Sequence, residues 1–381
     1  MHIAMVGTRG VPARYGGFET CVEEVGARLV GLGHEVTVYC RTGEPGAERP
    51  ETFLGMRLVH LPALRHRALE TLSHTALSVL HLLRHRSDVV LLFNAANSPF
   101  LPLLRVAGLP VATHVDGLEW KRAKWSGLGR RFYRFAESWA VRWSDALISD
   151  SPGIESYYRR EFDAPTVQIA YGTPEVDDAA VVRVRELGLE PKRFHVVVAR
   201  FEPENHVDVI VEGYVRSRAA LPLVVVGSAP YGQQYTDRVH RLADDRVRFL
   251  GGVWDAELLG ALYGGSLSYL HGHSVGGTNP SLLRAMAGGT SVIAWDVDFN
   301  RDVVGDAGLY FRDPDGVARA LERTEADEPG TAARAADALV RSKDYDWDDV
   351  ARRYARLAED LPGRRRLGRR PSGRRRRGPR R

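Results

Sequence analysis

Four glycines, Gly7, Gly10, Gly16 and Gly17, lie in GTRGVPARYGGFET, where a strand-like run, HIAMVG, gives way to a helix-like one. Glycine leaves the backbone bare, so N–H groups can approach a ligand closely, and the helix start that follows favours an anion. A second such place is HSVGGTNPSLLRAM, residues 273–286. Asn279 is placed there as an N-cap and Pro280 as the first helical residue, with Gly276 and Gly277 just before them. A phosphate suits that helix start. Arg200, at the end of FHVVVAR, is the expected second clamp, since guanidinium pairs with phosphate through two parallel hydrogen bonds. Together these residues predict a diphosphate site, and His273 is close enough to the cradle to be a candidate contact to the phosphate or to the group it carries.

Other chemistries are disfavoured. Neither glycine stretch has the G-x-G-x-x-G spacing of a dinucleotide fold or the G-x-x-x-x-G-K-[ST] of a P-loop, which counts against an oxidoreductase and a kinase. The thirteen histidines show no metal-ligand spacing such as H-E-x-x-H. DVD at Asp296–Asp298 follows a strand of buried type and reads as structural, so no metal and no other cofactor is expected. Cys21 and Cys40, the only two cysteines, read as packing residues in a reduced compartment.

The elements that must position these residues come in two series. HIAMVG, HEVTVYC, DVVLLF, PVATHV and DALISD alternate with amphipathic stretches, and FHVVVAR, LPLVVVG, RVRFLG, LSYLHG and TSVIAW do so again. This is the βαβ rhythm of parallel sheets covered on both faces. A chain of 381 residues suits two such domains, and the expected fold is α/β, two doubly wound Rossmann-like sheets facing a central cleft. Ligand is expected where the carboxyl ends of their strands meet. The boundaries fall at 1–172 for the first domain and 173–345 for the second, with a closing helix at 346–362 and an Arg-rich tail at 363–381.

That tail holds eleven arginines and no acid, so removing its charge from the net +5 leaves residues 1–362 at −6. It is expected to be disordered. Its charge suits an anionic inner leaflet, and no nucleic-acid motif marks a specific nucleic-acid partner. Without a membrane-spanning apolar run or a signal peptide, a cytoplasmic protein, peripheral at the inner face of the membrane, is expected.

Several longer stretches, GTRGVPARYGGFET, LSHTALS, VDGLEWKRAKW, ARFEPEN and HGHSVGGTNPSLL, occur in an order that resembles the GT-B glycosyltransferases of the retaining family-four type, within it the bacterial rhamnosyltransferase-like branch. The resemblance covers nearly the whole chain to about residue 360. It implies transfer of a sugar, rhamnose in that branch, from a nucleotide-diphosphate donor to a lipid-linked saccharide in cell-surface polysaccharide synthesis. It implies that Gly16 and Gly17 approach donor and acceptor, that Asp116 stands where many relatives place an active-site histidine, and that Arg200 binds the donor phosphates. Glu202, Glu204 and Asn205 belong to the Arg200 loop, Asn205 replacing a lysine common in the family. RVRFLGGV matches the stretch that meets the base, and Gly276, Gly277, Thr278 and Asn279 match the amides on the diphosphate.

One departure is pronounced. At position 284 the branch keeps a glutamate expected to hold the ribose hydroxyls, and here Arg284 replaces it. Arginine carries donors only, so it cannot accept those hydrogen bonds, and it would either reach the diphosphate or point away. A catalytically impaired homologue that binds nucleotide-sugar or glycan in an assembly complex is therefore the alternative reading.

Finally, residues 121–143 mix seven basic residues with six aromatics. Phe132, Phe135 and Trp139 are spaced as a helix face and are expected against the sheet. Lys121, Arg122, Lys124 and Trp125 are the candidates for acceptor or membrane contact.

Overall fold

The computed structural model describes residues 1–13, 16–42, 49–64, 69–115, 117–121, 127–174, 178–228 and 233–368. Two sheets organise it. The first contains β1 (His2–Val6), β2 (Glu35–Arg41), β3 (Thr52–Phe53), β4 (Met56–Leu61), β5 (Val89–Phe93), β6 (Val111–His114), β7 (Ala146–Ser149) and β8 (Val167–Gln168), in the spatial order β3-β4-β2-β1-β5-β6-β7-β8. Only the two-residue edge strand β3 runs antiparallel. The second contains β9 (His195–Val198), β10 (Leu223–Val226), β11 (Val247–Gly251), β12 (Ser268–His271), β13 (Ser291–Trp295) and β14 (Gly308–Phe311), ordered β11-β10-β9-β12-β13-β14 and parallel throughout.

The strand sequences explain this arrangement. Ile3, Ala4, Met5 and Val6 are all buried, as are Val89 to Phe93 and Val292 to Ala294. Unbroken apolar runs of this kind suit strands covered by helices on both faces. The helix Gly17–Gly31 lays Cys21, Val22, Val25 and Leu29 against the first sheet at helical spacing. Each large apolar side chain so removed from water contributes about 1.5–3 kcal/mol. Neither cysteine is in a disulfide and both are buried, and burial pushes the Cys40 thiol up to about 11, far from a reactive thiolate.

The chain crosses between domains twice, and the crossings lie side by side. Thr173 donates its N–H (2.7 Å) and hydroxyl (2.9 Å) to the Tyr345 carbonyl, and Gly172 packs against the Trp347 ring. The final helix, Trp347–Gly368, then returns to the first domain. There Asp348 accepts from Arg28 Nε at 2.7 Å, and the Tyr354 hydroxyl meets Cys21 Sγ at 3.8 Å.

Two expectations are corrected. The closing helix does not stop at 362 but continues through Gly368, into the stretch read as a disordered tail, because arginine is a good helix former and propagation from an anchored helix costs little. Residues 369–381 lie outside the described residues. In the helix Gly127–Trp143 the inward face is Tyr133, Ala136, Glu137 and Ala140, and Phe135 points outward, 46% exposed. Glu137 is held inside by the Tyr157 hydroxyl, which donates to it at 2.8 Å, and desolvation raises its pKa to about 7.

Candidate donor site and interdomain cleft

In the first domain, the loop after β1 is secured by side chains from elsewhere. Asn97 Nδ2 donates to the carbonyls of Gly7 (3.2 Å) and Phe93 (2.9 Å), while its Oδ1 accepts from the Thr75 hydroxyl at 2.8 Å. Gly7 has φ +103°, and a β-carbon there would lie 2.3 Å from the Phe93 carbonyl oxygen, so only glycine fits. The helix that follows reaches back with two carboxylates one turn apart. Glu19 accepts from the Arg9 N–H at 3.0 Å and Glu23 from the Ala13 N–H at 2.5 Å. Burial raises the Glu23 pKa, offset in part by that backbone N–H.

In the second domain, Arg200 follows β9 and is partly exposed, with Nη1 3.7 Å from Glu202 Oε1. Asn205 is buried and donates to the Arg200 carbonyl at 2.8 Å, so it shapes the loop that presents the arginine. Glu204 is also buried, and its carbonyl accepts from the Ser274 N–H (2.9 Å) and hydroxyl (3.1 Å). These bonds join the Arg200 loop to the stretch after β12. In that stretch Asn279 is the N-cap, accepting from the Ser281 N–H at 2.9 Å, and Pro280 opens the helix Pro280–Ala287. Half-buried His273 stacks on His271 at 4.5 Å, and its carbonyl accepts from Asn300. His271 is fully buried, and desolvation lowers its pKa to about 3. Arg284 lies with its guanidinium carbon 5.9 Å from the centre of the Tyr263 ring, a cation–π distance.

The two domains meet at this second glycine stretch. A β-carbon at Gly17 would lie 3.6 Å from the Pro280 ring, and one at Gly117 would lie 4.0 Å from Gly276 Cα. The Thr278 hydroxyl donates to the Asp150 carbonyl at 2.7 Å. Thus the carboxyl ends of β1, β6 and β7 converge on residues 276–280, with Gly17, Gly276, Gly277, Thr278 and Asn279 gathered in one place. Gly16, one residue away, caps the helix Gly17–Gly31 through its carbonyl, which accepts from the Thr20 N–H at 3.1 Å. Asp116, Arg122, Lys124 and Trp125 lie outside the described residues. Lys121 is exposed, its Nζ 5.6 Å from the centre of the Trp120 ring. Asp296, of the metal-like DVD, pairs with Arg301 (2.5 Å) and Arg312 (3.0 Å), and these partners lower its pKa. Among the described residues no three His, Cys, Asp or Glu side chains are grouped to hold a metal.

Sequence reasoning missed Asn97, Thr75 and Asp150. Asp150 ends the run DALISD, and the rule that picked out Arg200, polar residues at the carboxyl end of a buried strand, applies to it equally. Asn97 and Thr75 had no such signal, because they act through contacts 90 and 22 residues away.

Two α/β domains that meet across a cleft at the carboxyl ends of their parallel strands have the architecture of the GT-B fold. Residues 16–172 match the family described as glycosyl transferase 4-like domain, and residues 192–327 match glycosyl transferases group 1. Together the two matches take in most of the chain. It is 33% identical over 172 residues to the phosphatidyl-myo-inositol mannosyltransferase of Mycolicibacterium smegmatis, a match spanning 42% of this chain and 43% of that relative. Over 397 aligned residues it is 26% identical to the glycogen synthase of Mycobacterium tuberculosis, covering 94% of each. Its fold is similar to that of the sucrose-phosphate synthase of Thermosynechococcus elongatus, with a TM-score of 0.81 at 21% identity, covering 94% of this chain and 98% of that one.

Proposed function

We propose that the protein transfers a sugar, rhamnose, with retention, from a nucleotide-diphosphate donor to a lipid-linked saccharide in cell-surface polysaccharide synthesis. The convergence of the ends of β1, β6 and β7 on the capped cradle at 276–280 carries this reading. Arg200 and the amides at 277–279 take up the charge of the departing diphosphate, fixed in place before the reaction begins. Asp116 orients the sugar or the acceptor hydroxyl, and His273 borders the donor. Helix start and arginine serve in place of a cation, and the donor binds without metal. Closure of the domains keeps water from the reacting carbon.

The acceptor side faces the cytoplasmic leaflet in this reading. On the helix Gly127–Trp143 the exposed Phe135 ring packs on half-buried Trp139, with ring centres 4.9 Å apart. Exposed Arg131 and Arg142 stand on the same helix. Basic and aromatic side chains together suit an anionic lipid surface. No described helix is long and apolar enough to cross a membrane.

The position of Arg284 against Tyr263 favours a second reading, an impaired homologue that binds nucleotide-sugar or glycan as a partner in an assembly complex. Calorimetric titration with dTDP, UDP, GDP and their sugars separates the two. The enzyme reading expects one nucleotide sugar to bind the unmodified chain and to be turned over, with Arg200→Ala weakening affinity by about a hundredfold. Binding only after Arg284→Glu would establish the impaired homologue instead.

A further inference from the structure

The Asp150 side chain has no part in the reading above. It follows β7 at the cleft edge of the first domain, and it is fully buried there. A β-carbon at Gly277 would lie 2.1 and 2.2 Å from its two carboxylate oxygens, so the carboxylate fills the space that a side chain in the cradle would need. The adjacent Thr278 hydroxyl donates to the Asp150 carbonyl, which fixes the residue against the cradle from the opposite domain.

We propose that Asp150 is a catalytic residue that contacts the transferred sugar, a proposal that rests on the donor reading of the cradle. The reacting carbon of a nucleotide sugar is joined to the distal phosphate by a single oxygen. With that phosphate on the amides of 277–279, a group pressed on Gly277 from the first domain meets the sugar rather than the nucleotide. Chemistry points the same way. The backbone N–H groups of the cradle, Arg200 and Arg284 are donors, suited to phosphate, whereas sugar hydroxyls need acceptors as well. A carboxylate repels a diphosphate but attracts a carbon that is becoming cationic, so its effect is larger in the transition state than in the bound donor.

In the step itself the bond from the sugar carbon to the distal phosphate oxygen breaks, and its electron pair stays with the phosphate. The acceptor hydroxyl oxygen bonds to the same carbon on the same face, and its proton passes to the departing phosphate oxygen. Asp150 forms no covalent bond in this step.

The test uses the full chain, titrated with UDP, dTDP and GDP and with their sugars, alongside turnover measured as release of nucleoside diphosphate. Asp150→Asn keeps the size of the side chain and removes its charge. The expected result is affinity for the nucleoside diphosphate within about twofold of the original, affinity for its sugar conjugate down about tenfold, and kcat down about a hundredfold. Thr166→Val removes the hydroxyl that pairs with Ser149 Oγ at 2.7 Å, loosening the end of β7 beside Asp150 without touching the carboxylate, and is expected to leave kcat within about twofold. Equal weakening of nucleotide and conjugate, unchanged turnover in Asp150→Asn, or equal losses in the two variants would reduce Asp150 to a clasp between domains and overturn the proposal. If no nucleotide of the set binds the unmodified chain, the donor reading itself falls and this proposal with it.

Discussion

The two glycine stretches look alike in sequence, yet they are held by opposite means. The cradle at 276–279 has a local cap, Asn279 on a helix that Pro280 begins, and Thr278 ties it to Asp150 of the first domain. The loop after β1 is secured from a distance, by Asn97 and Thr75 behind it and by Glu19 and Glu23 one helix turn apart in front. A loop tied to the body of its domain moves only with that body, which suits the side of a cleft that must close as a unit.

The contrast breaks most severely at Gly7. Gly7→Ala sets a methyl group against the Phe93 carbonyl at a φ that alanine rarely adopts. The expected cost is about 4 kcal/mol, read from the urea midpoint, and a variant as stable as the parent would show that the loop is not clamped. Asn97→Ala comes next, at about 3 kcal/mol, because it strands two buried carbonyls and the Thr75 hydroxyl. A loss below about 1 kcal/mol would remove Asn97 from the argument.

Acid sharpens the comparison between whole domains. His74 and His114 in the first domain and His271 in the second have folded pKa values lowered by desolvation to about 4, 3 and 3. The unfolded chain takes up protons near the ordinary value of about 6.5 and the folded chain does not. Stability is therefore complete above that pH and falls as pH drops from about 6.5 towards the folded values, by about 2 kcal/mol for each histidine at pH 5. His114→Phe, within the cluster of Phe18, Phe93, Tyr171 and Tyr354, is expected to flatten the loss between pH 7 and 5 by that amount. An unaltered slope in urea titrations at the two pH values would rule this out.

The smallest effect is expected at the local cap. Asn279→Ala costs about 1 kcal/mol of stability. Its larger consequence is for ligand, with weaker nucleoside diphosphate binding in the same calorimetric assay; unchanged affinity would separate the cap from the cradle.

The same contrast explains how much was legible in the chain. Strands such as HIAMVG and TSVIAW could be read because both faces are buried, and the cradle could be read because its cap is written in adjacent residues. β3 and β8 were missed because each is a two-residue edge strand, and β14, GLYF, because four residues at a sheet edge are too few to show a period. β4, MRLVHL, interleaves Arg57 and His60 with its apolar residues and so hid among them. The orientation of the helix Gly127–Trp143 was misread for a physical reason. Its sequence offers two apolar faces, and the buried one carries Glu137, whose stability there depends on Tyr157 from the next helix. Asp150 was missed although its position is the one where this architecture gathers chemistry.

The paired crossings at Thr173 and Tyr345 also set how the enzyme can move. If the domains close as proposed, two chain segments joined by hydrogen bonds would act as a single axle, so that one domain would turn about the other instead of sliding past it. Displacement grows with distance from that line. A modest twist beside Trp347, too small to disturb its packing, becomes a gap at the cleft wide enough to admit a substrate.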